Sequence, residues 1–169
     1  MASLALQWKA ARLRKEAALI PPRAALGASM VYHGLGKLRE GGPEEAGGFF
    51  ESVGLRPGKP LAVATGIAEI FAGGAAILGL WTRPAALAVL VTQSFALGKV
   101  HGKNGFDVTK GGFEFNVALM CIAGALLIAG PGLFSAHEGI ERLIEGRGAK
   151  RWLRKARPSP LLRLVRLLK

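Results

Sequence analysis

The run from Leu61 to Trp81, LAVATGIAEIFAGGAAILGLW, holds 21 residues and one ionisable side chain, Glu69. A bilayer core about 30 Å thick takes roughly 20 apolar residues of helix at about 1.5 Å each, so this run is long enough to span a membrane. On a helix, Ala62, Thr65, Gly66, Glu69, Ala72, Gly73 and Ala76 share one face, and Ile67, Ile70, Phe71, Ile77, Leu78 and Trp81 fill the other. Small residues let helix backbones approach where lipid gives no hydrophobic drive to association. The small face is therefore expected to pack against other helices. The carboxylate on it should be protected from lipid.

Half of the 169 residues are apolar, yet the formal net charge is +12. The basic residues avoid the apolar runs and gather at the two ends of the chain, where they suit an anionic bilayer surface; nucleic acid is not expected as a partner. One cysteine, Cys121, excludes an intramolecular disulfide or a thiolate metal cluster, and a core position is expected for it. No continuous apolar segment precedes Pro21, so no cleaved signal peptide is read.

Residues 1–21 alternate Leu4, Leu6, Trp8 and Leu13 with Lys9, Arg12, Arg14 and Lys15, the pattern of a helix lying in the membrane interface. Pro21 and Pro22 then open span one, about Pro22 to Leu38, with Arg23 expected to snorkel to the surface. His33 and Lys37 end that span on one face. A Gly- and Glu-rich, partly helical connection follows. Span two is Leu61 to Trp81. Thr82, read as an N-cap, and Pro84 make a tight turn into span three, about Pro84 to Val100, which carries Gln93 and ends in Lys99 and His101. Span four, about Phe113 to Ala129, has Glu114 on a face with Ala118, Cys121 and Ala125. Ser135 and Glu138 form a capping-box pattern opening a short amphipathic helix, and residues 150–169 read as a basic tail on the membrane surface.

The expected architecture is thus all-α: an integral membrane four-helix bundle, up-down-up-down, over residues 22–130, with amphipathic interfacial segments at 1–21 and 131–169. Sixteen Lys and Arg fall in the terminal segments and the short turn, and seven in the two longer loops. The excess of basic residues marks the cytoplasmic side, so both termini are expected there. That orientation brings His33, Lys37, Lys99, His101 and Glu114 to the outer ends of their helices, with Glu69 deeper.

The set His33-Gly34-Leu35-Gly36-Lys37, Glu69, Gly79-Leu80-Trp81-Thr82-Arg83, His101, Phe113-Glu114 and Gly130-Pro131-Gly132 resembles the DoxX family of four-helix bacterial membrane proteins, over about Ala24 to Ser135. The resemblance implies a multi-pass protein of the bacterial inner membrane. It also implies a redox neighbourhood, since relatives include the DoxD-type membrane subunit of thiosulfate:quinone oxidoreductase.

Two classes of function are expected from these residues. In the first, the chain is a subunit of a quinone-linked redox system acting with other membrane subunits. Glu69, His33, His101 and Glu114 would be its reactive groups and Lys37, Gln93 and Lys99 would hold the quinone. The second is an accessory subunit on a larger complex, in which Glu69 pairs with Lys37 or Lys99 and fixes helix register, and the histidines are satisfied by water and headgroups. A haem held by His33 and His101 is disfavoured because both lie beside lysines at a wet helix end, and no metal site is read.

Overall fold

The computed structural model describes residues 2–147 and Leu167; the basic tail expected over 150–169 lies outside the described residues, apart from Leu167. The described residues are helical, with no strand among them. The helices are α1 (Ala2–Ala17), α2 (Ile20–Leu38), α3 (Gly42–Ser52), α4 (Gly58–Leu78), α5 (Thr82–Ala96), α6 (Glu114–Ala129) and α7 (Ala136–Arg147). A π-helical segment, Leu97–His101, continues α5, and two short 3-10 turns follow it. Among the described residues one helix, α4, is long and apolar enough to cross a membrane by length and composition, while α6 is apolar but shorter.

Helix α4 is the centre of the packing, in contact with α2, α3 and α5. Its buried face is Ala62, Gly66, Glu69, Ala72, Gly73 and Ala76, the small face expected from the sequence, while Ile67, Phe71 and Leu78 are exposed. Against α2 the approach is backbone to backbone. A Cβ on Gly34 would lie 2.6 Å from the Gly66 carbonyl oxygen, and one on Gly73 would lie 2.6 Å from the Gly27 oxygen. Both pairs repeat at seven residues, about two helical turns, so two antiparallel helices meet through a seam whose glycine positions have no room for a side chain of their own.

The C-terminus of α4 is closed in two ways. Gly79 takes the left-handed conformation at φ 66° and the Leu80 amide donates back to Ala75 O at 2.9 Å, a Schellman-type ending. Two of the last carbonyls of α4 also accept from Arg23. Its Nε donates to Ala76 O at 3.0 Å and its Nη2 to Ile77 O at 2.8 Å, while Nη1 reaches Pro131 O at 2.9 Å and Phe134 O at 2.7 Å. Arg23 is therefore buried rather than snorkelling, because four carbonyls of a helix end and a loop replace its water. Arg83 does the same for α6, donating from Nε to Leu127 O at 3.1 Å.

Three further expectations are corrected. Trp81, not Thr82, caps α5, in a left-handed conformation at φ 47°; Thr82 is already helical and its buried hydroxyl has no partner among the described residues. On α6 the buried face is Asn116, Leu119, Ala123 and Leu126. Glu114, Ala118, Cys121 and Ala125 are exposed, so the small face points outward and Cys121 is not a core residue. Volume explains the choice: α5 presents Ala85 and Ala86 to the core, and the leucines of α6 fill the space those alanines leave.

Helix α1 buries none of its large apolar side chains, with Trp8 72% exposed. It is joined to the body near its end, where Glu16 Oε2 accepts from the Leu133 amide at 2.9 Å. The Ser135 cap forms as expected, its Oγ accepting from the Glu138 amide at 3.2 Å.

Candidate functional site

The end of the helices away from Arg23 holds a cavity of about 670 Å³. Four phenylalanines line it, Phe49 and Phe50 from α3, Phe95 from α5 and Phe115 from α6. Helix α3 is held over α4 by a second glycine contact, where a Cβ on Gly47 would lie 2.7 Å from the Lys59 backbone, and by the Lys59–Glu44 ion pair. The connection between α2 and α4 is thus a helical wall of the cavity.

Within this apolar shell lie two polar pairs. Lys37 Nζ donates to Glu69 Oε2 at 2.7 Å, with 19% and 9% of the two side chains exposed. The pair joins α2 to α4 across the Gly34–Gly66 contact, each residue about one turn along its own helix from its glycine, and it answers which lysine partners Glu69. The second pair joins α5 to α6: Asn116 Nδ2 donates to Gln93 Oε1 at 2.8 Å, and both residues are buried. The acceptor facing Gln93 Nε2 is Met30 Sδ at 3.9 Å, a weak partner for an amide donor. A buried amide in this condition has donor capacity to offer a ligand oxygen.

The π segment holds the histidine. Val100 and His101 in it line the cavity, and Lys99 is exposed and does not. His101 Nδ1 lies 2.7 Å from Gly111 O. A carbonyl can only accept, so Nδ1 carries the hydrogen, and Nε2 is the acceptor of the neutral ring. His33 also lines the cavity, its ring 6.0 Å from that of Phe115.

Of the seven residues expected to form the site, His33, Lys37, Glu69, Gln93 and His101 line one cavity. Lys99 and Glu114 do not. Glu114 is exposed at the start of α6 and its carboxylate accepts from the Val108 amide at 3.3 Å, closing the preceding loop. In the same loop the Thr109 hydroxyl and amide donate to Asp107 Oδ1 at 2.7 and 2.9 Å and hold the Asp107 carboxyl below its ordinary range. Sequence reasoning missed Asn116 and the α3 phenylalanines. The signal for Asn116 was present, an uncharged amide within an otherwise apolar run.

The sequence profile of DoxX matches residues 18–102, half of the chain. The match holds His33, Lys37, Glu69, Gln93, Lys99 and His101, and it stops before Glu114 and Asn116. No curated protein and no solved structure matches the chain. With a profile match across α2 to α5, over the helices that carry most of the cavity, the chain belongs to the DoxX family, a family of membrane proteins.

Proposed function

We propose that this chain is a four-span protein of a bacterial cell membrane, both termini cytoplasmic, serving as the membrane subunit of a quinone-linked redox system. The spans are α2, α4, α5 with its π extension, and α6. The cavity is the observation that carries the redox part of this reading. Its volume of about 670 Å³, its four phenylalanines and its two polar pairs suit a flat apolar ring bearing oxygen acceptors, within the range of ordinary ligand pockets. A quinone supplies paired electron and proton exchange when bound. The chain's own residues hold and position. Gln93, braced by Asn116, offers an amide N–H to a ring oxygen, and Lys37 offers an ammonium. His101 Nε2 and the Glu69 carboxylate exchange protons at the polar end of the cavity. Electrons come from a partner subunit, and the basic ends of the chain rest on anionic headgroups.

The formed Lys37–Glu69 pair favours a second reading, an accessory subunit of a larger membrane complex in which this pair ties α2 to α4 and does no chemistry. One variant separates the two. In the redox reading Glu69→Gln keeps fold and quinone binding and loses turnover in the parent complex. In the accessory reading it leaves turnover intact; the melting temperature falls in both, because the variant strands Lys37. A purified wild-type protein in nanodiscs that takes up neither ubiquinone nor menaquinone would overturn the redox reading.

A further inference from the structure

At the opposite end from the cavity lies a separate cleft of about 210 Å³, bounded by Arg12 and Glu16 of α1, Arg83, the Gly130–Leu133 segment and Glu138. Its walls are fixed from behind. Arg23 holds the Pro131 and Phe134 carbonyls, and Glu16 Oε2 holds the Leu133 amide. Arg83 is fixed by two carbonyls at the end of α6, through Nε to Leu127 O at 3.1 Å and Nη2 to Ile128 O at 3.4 Å. Those bonds leave Arg83 Nη1 and Glu16 Oε1 without a partner among the described residues, and the Arg12 guanidinium makes no ion pair with any of them. Glu138 is occupied by Arg142, whose Nε donates to its Oε1 at 3.1 Å.

With Glu138 matched by Arg142, the cleft offers a ligand two guanidinium groups and one carboxylate, Glu16. A plain anion would meet the Glu16 carboxylate and a plain cation the arginines, whereas a ligand carrying a phosphate and an ammonium a few bonds apart meets both. The flank of the cleft says what else that ligand carries. Trp8, Arg12 and Glu16 recur every four residues along one face of α1, and Trp8 and the nearby Leu4 and Leu6 are exposed. An exposed indole one turn from a guanidinium suits the boundary between headgroups and acyl chains.

We infer that this cleft binds the phosphoethanolamine headgroup of a bilayer lipid, its phosphate between Arg12 and Arg83 and its ammonium on Glu16. This rests on the membrane reading above and is independent of the quinone. It sets an order among headgroups: choline has no N–H to give Glu16, and glycerol brings no cation.

The test uses the full chain, extracted in mild detergent and given equimolar phosphatidylethanolamine, phosphatidylcholine and phosphatidylglycerol, with retained lipid counted by native mass spectrometry. Phosphatidylethanolamine should be retained about threefold over each of the others, the scale of one exposed charge pair. Glu16→Gln should abolish that preference, and Arg12→Gln should lower retention of all three lipids, since each carries the phosphate. Glu16→Gln keeps an oxygen for the Leu133 amide, so the fold is kept. Lys9→Gln, the same charge change outside the cleft, should leave the preference unchanged. Equal retention of the three lipids, a preference for phosphatidylglycerol, a preference that survives Glu16→Gln, unchanged retention in Arg12→Gln, or displacement by soluble phosphoethanolamine as readily as by the lipid would each overturn the inference. Alkaline carbonate extraction separates the two failures: a protein released from membranes ends the membrane reading and the cleft with it, whereas one that stays embedded without lipid preference ends the cleft alone.

Discussion

Lys37 Nζ lies 2.7 Å from Glu69 Oε2 across the α2–α4 seam, in a cavity wall where neither side chain is fully wet. Losing one member of a buried pair strands the other charge, and losing both does not. Lys37→Met should therefore cost about 3 kcal/mol, near the low end for a buried pair because Lys37 keeps some water. Adding Glu69→Gln to it should restore much of the loss. Thermal unfolding in detergent of both single variants and the double variant checks this, and additive losses would contradict it.

The glycine seam predicts opposite outcomes for neighbouring substitutions. Gly34→Ala puts a Cβ 2.6 Å from the Gly66 oxygen, where two backbones would have to part, so a loss of about 2–3 kcal/mol is expected. Gly36→Ala meets nothing within 4 Å and should gain about 0.5–1 kcal/mol from helix propensity. Melting temperatures of the two variants should move in opposite directions.

Arg23→Lys should fail to replace the arginine. Its fork serves four carbonyls in different directions, and a single ammonium on a flexible stem cannot reach all of them. A loss of at least about 2 kcal/mol is expected, the scale of one charge-assisted hydrogen bond with its acceptor left dry. Guanidinium denaturation midpoints that matched wild type would refute this role.

Topology can be read with thiols in a Cys121→Ala background. Gly48→Cys in α3, where a Cβ meets no neighbour, should react with an impermeant maleimide in intact cells, and a cysteine placed after Lys169 should not. The reverse labelling would invert the orientation proposed above.

The Asp107 carboxyl titrates below its ordinary value because its ionised form accepts from Thr109. A depressed folded-state value means that its contribution is complete above the ordinary aspartate range and is lost as pH falls through the lower, folded value. Amide protection in residues 105–113, taken relative to the intrinsic exchange rate at each pH, should fall on acidification into that range, and in Asp107→Asn it should be low and insensitive to pH there.

How legible this was in the sequence differs from helix to helix. The buried face of α4 was readable because its small residues and one carboxylate repeat at helical spacing, and the lysine for Glu69 narrowed to two. The face of α6 misled because Ala118, Cys121 and Ala125 also look like a close-packing stripe; which stripe is buried depends on the volume α5 leaves, a property of the pair of helices. Lys99 failed because it lies about 120° around the helix from Gln93, so that a place at the same helix end was not a place on the same face. Arg23 failed for a global reason, since its acceptors are main-chain groups, which leave no mark in side-chain pattern.

Those acceptors also set an order of events during synthesis. The Arg23 guanidinium is closed by Pro131 O, 108 residues further along the chain. At roughly 5–20 residues per second, that partner leaves the ribosome about 5–20 s after Arg23 does. Until then the start of α2 keeps a cation that no carbonyl of the later loop has claimed. The loop after α6 is thus what lets the start of α2 be sealed.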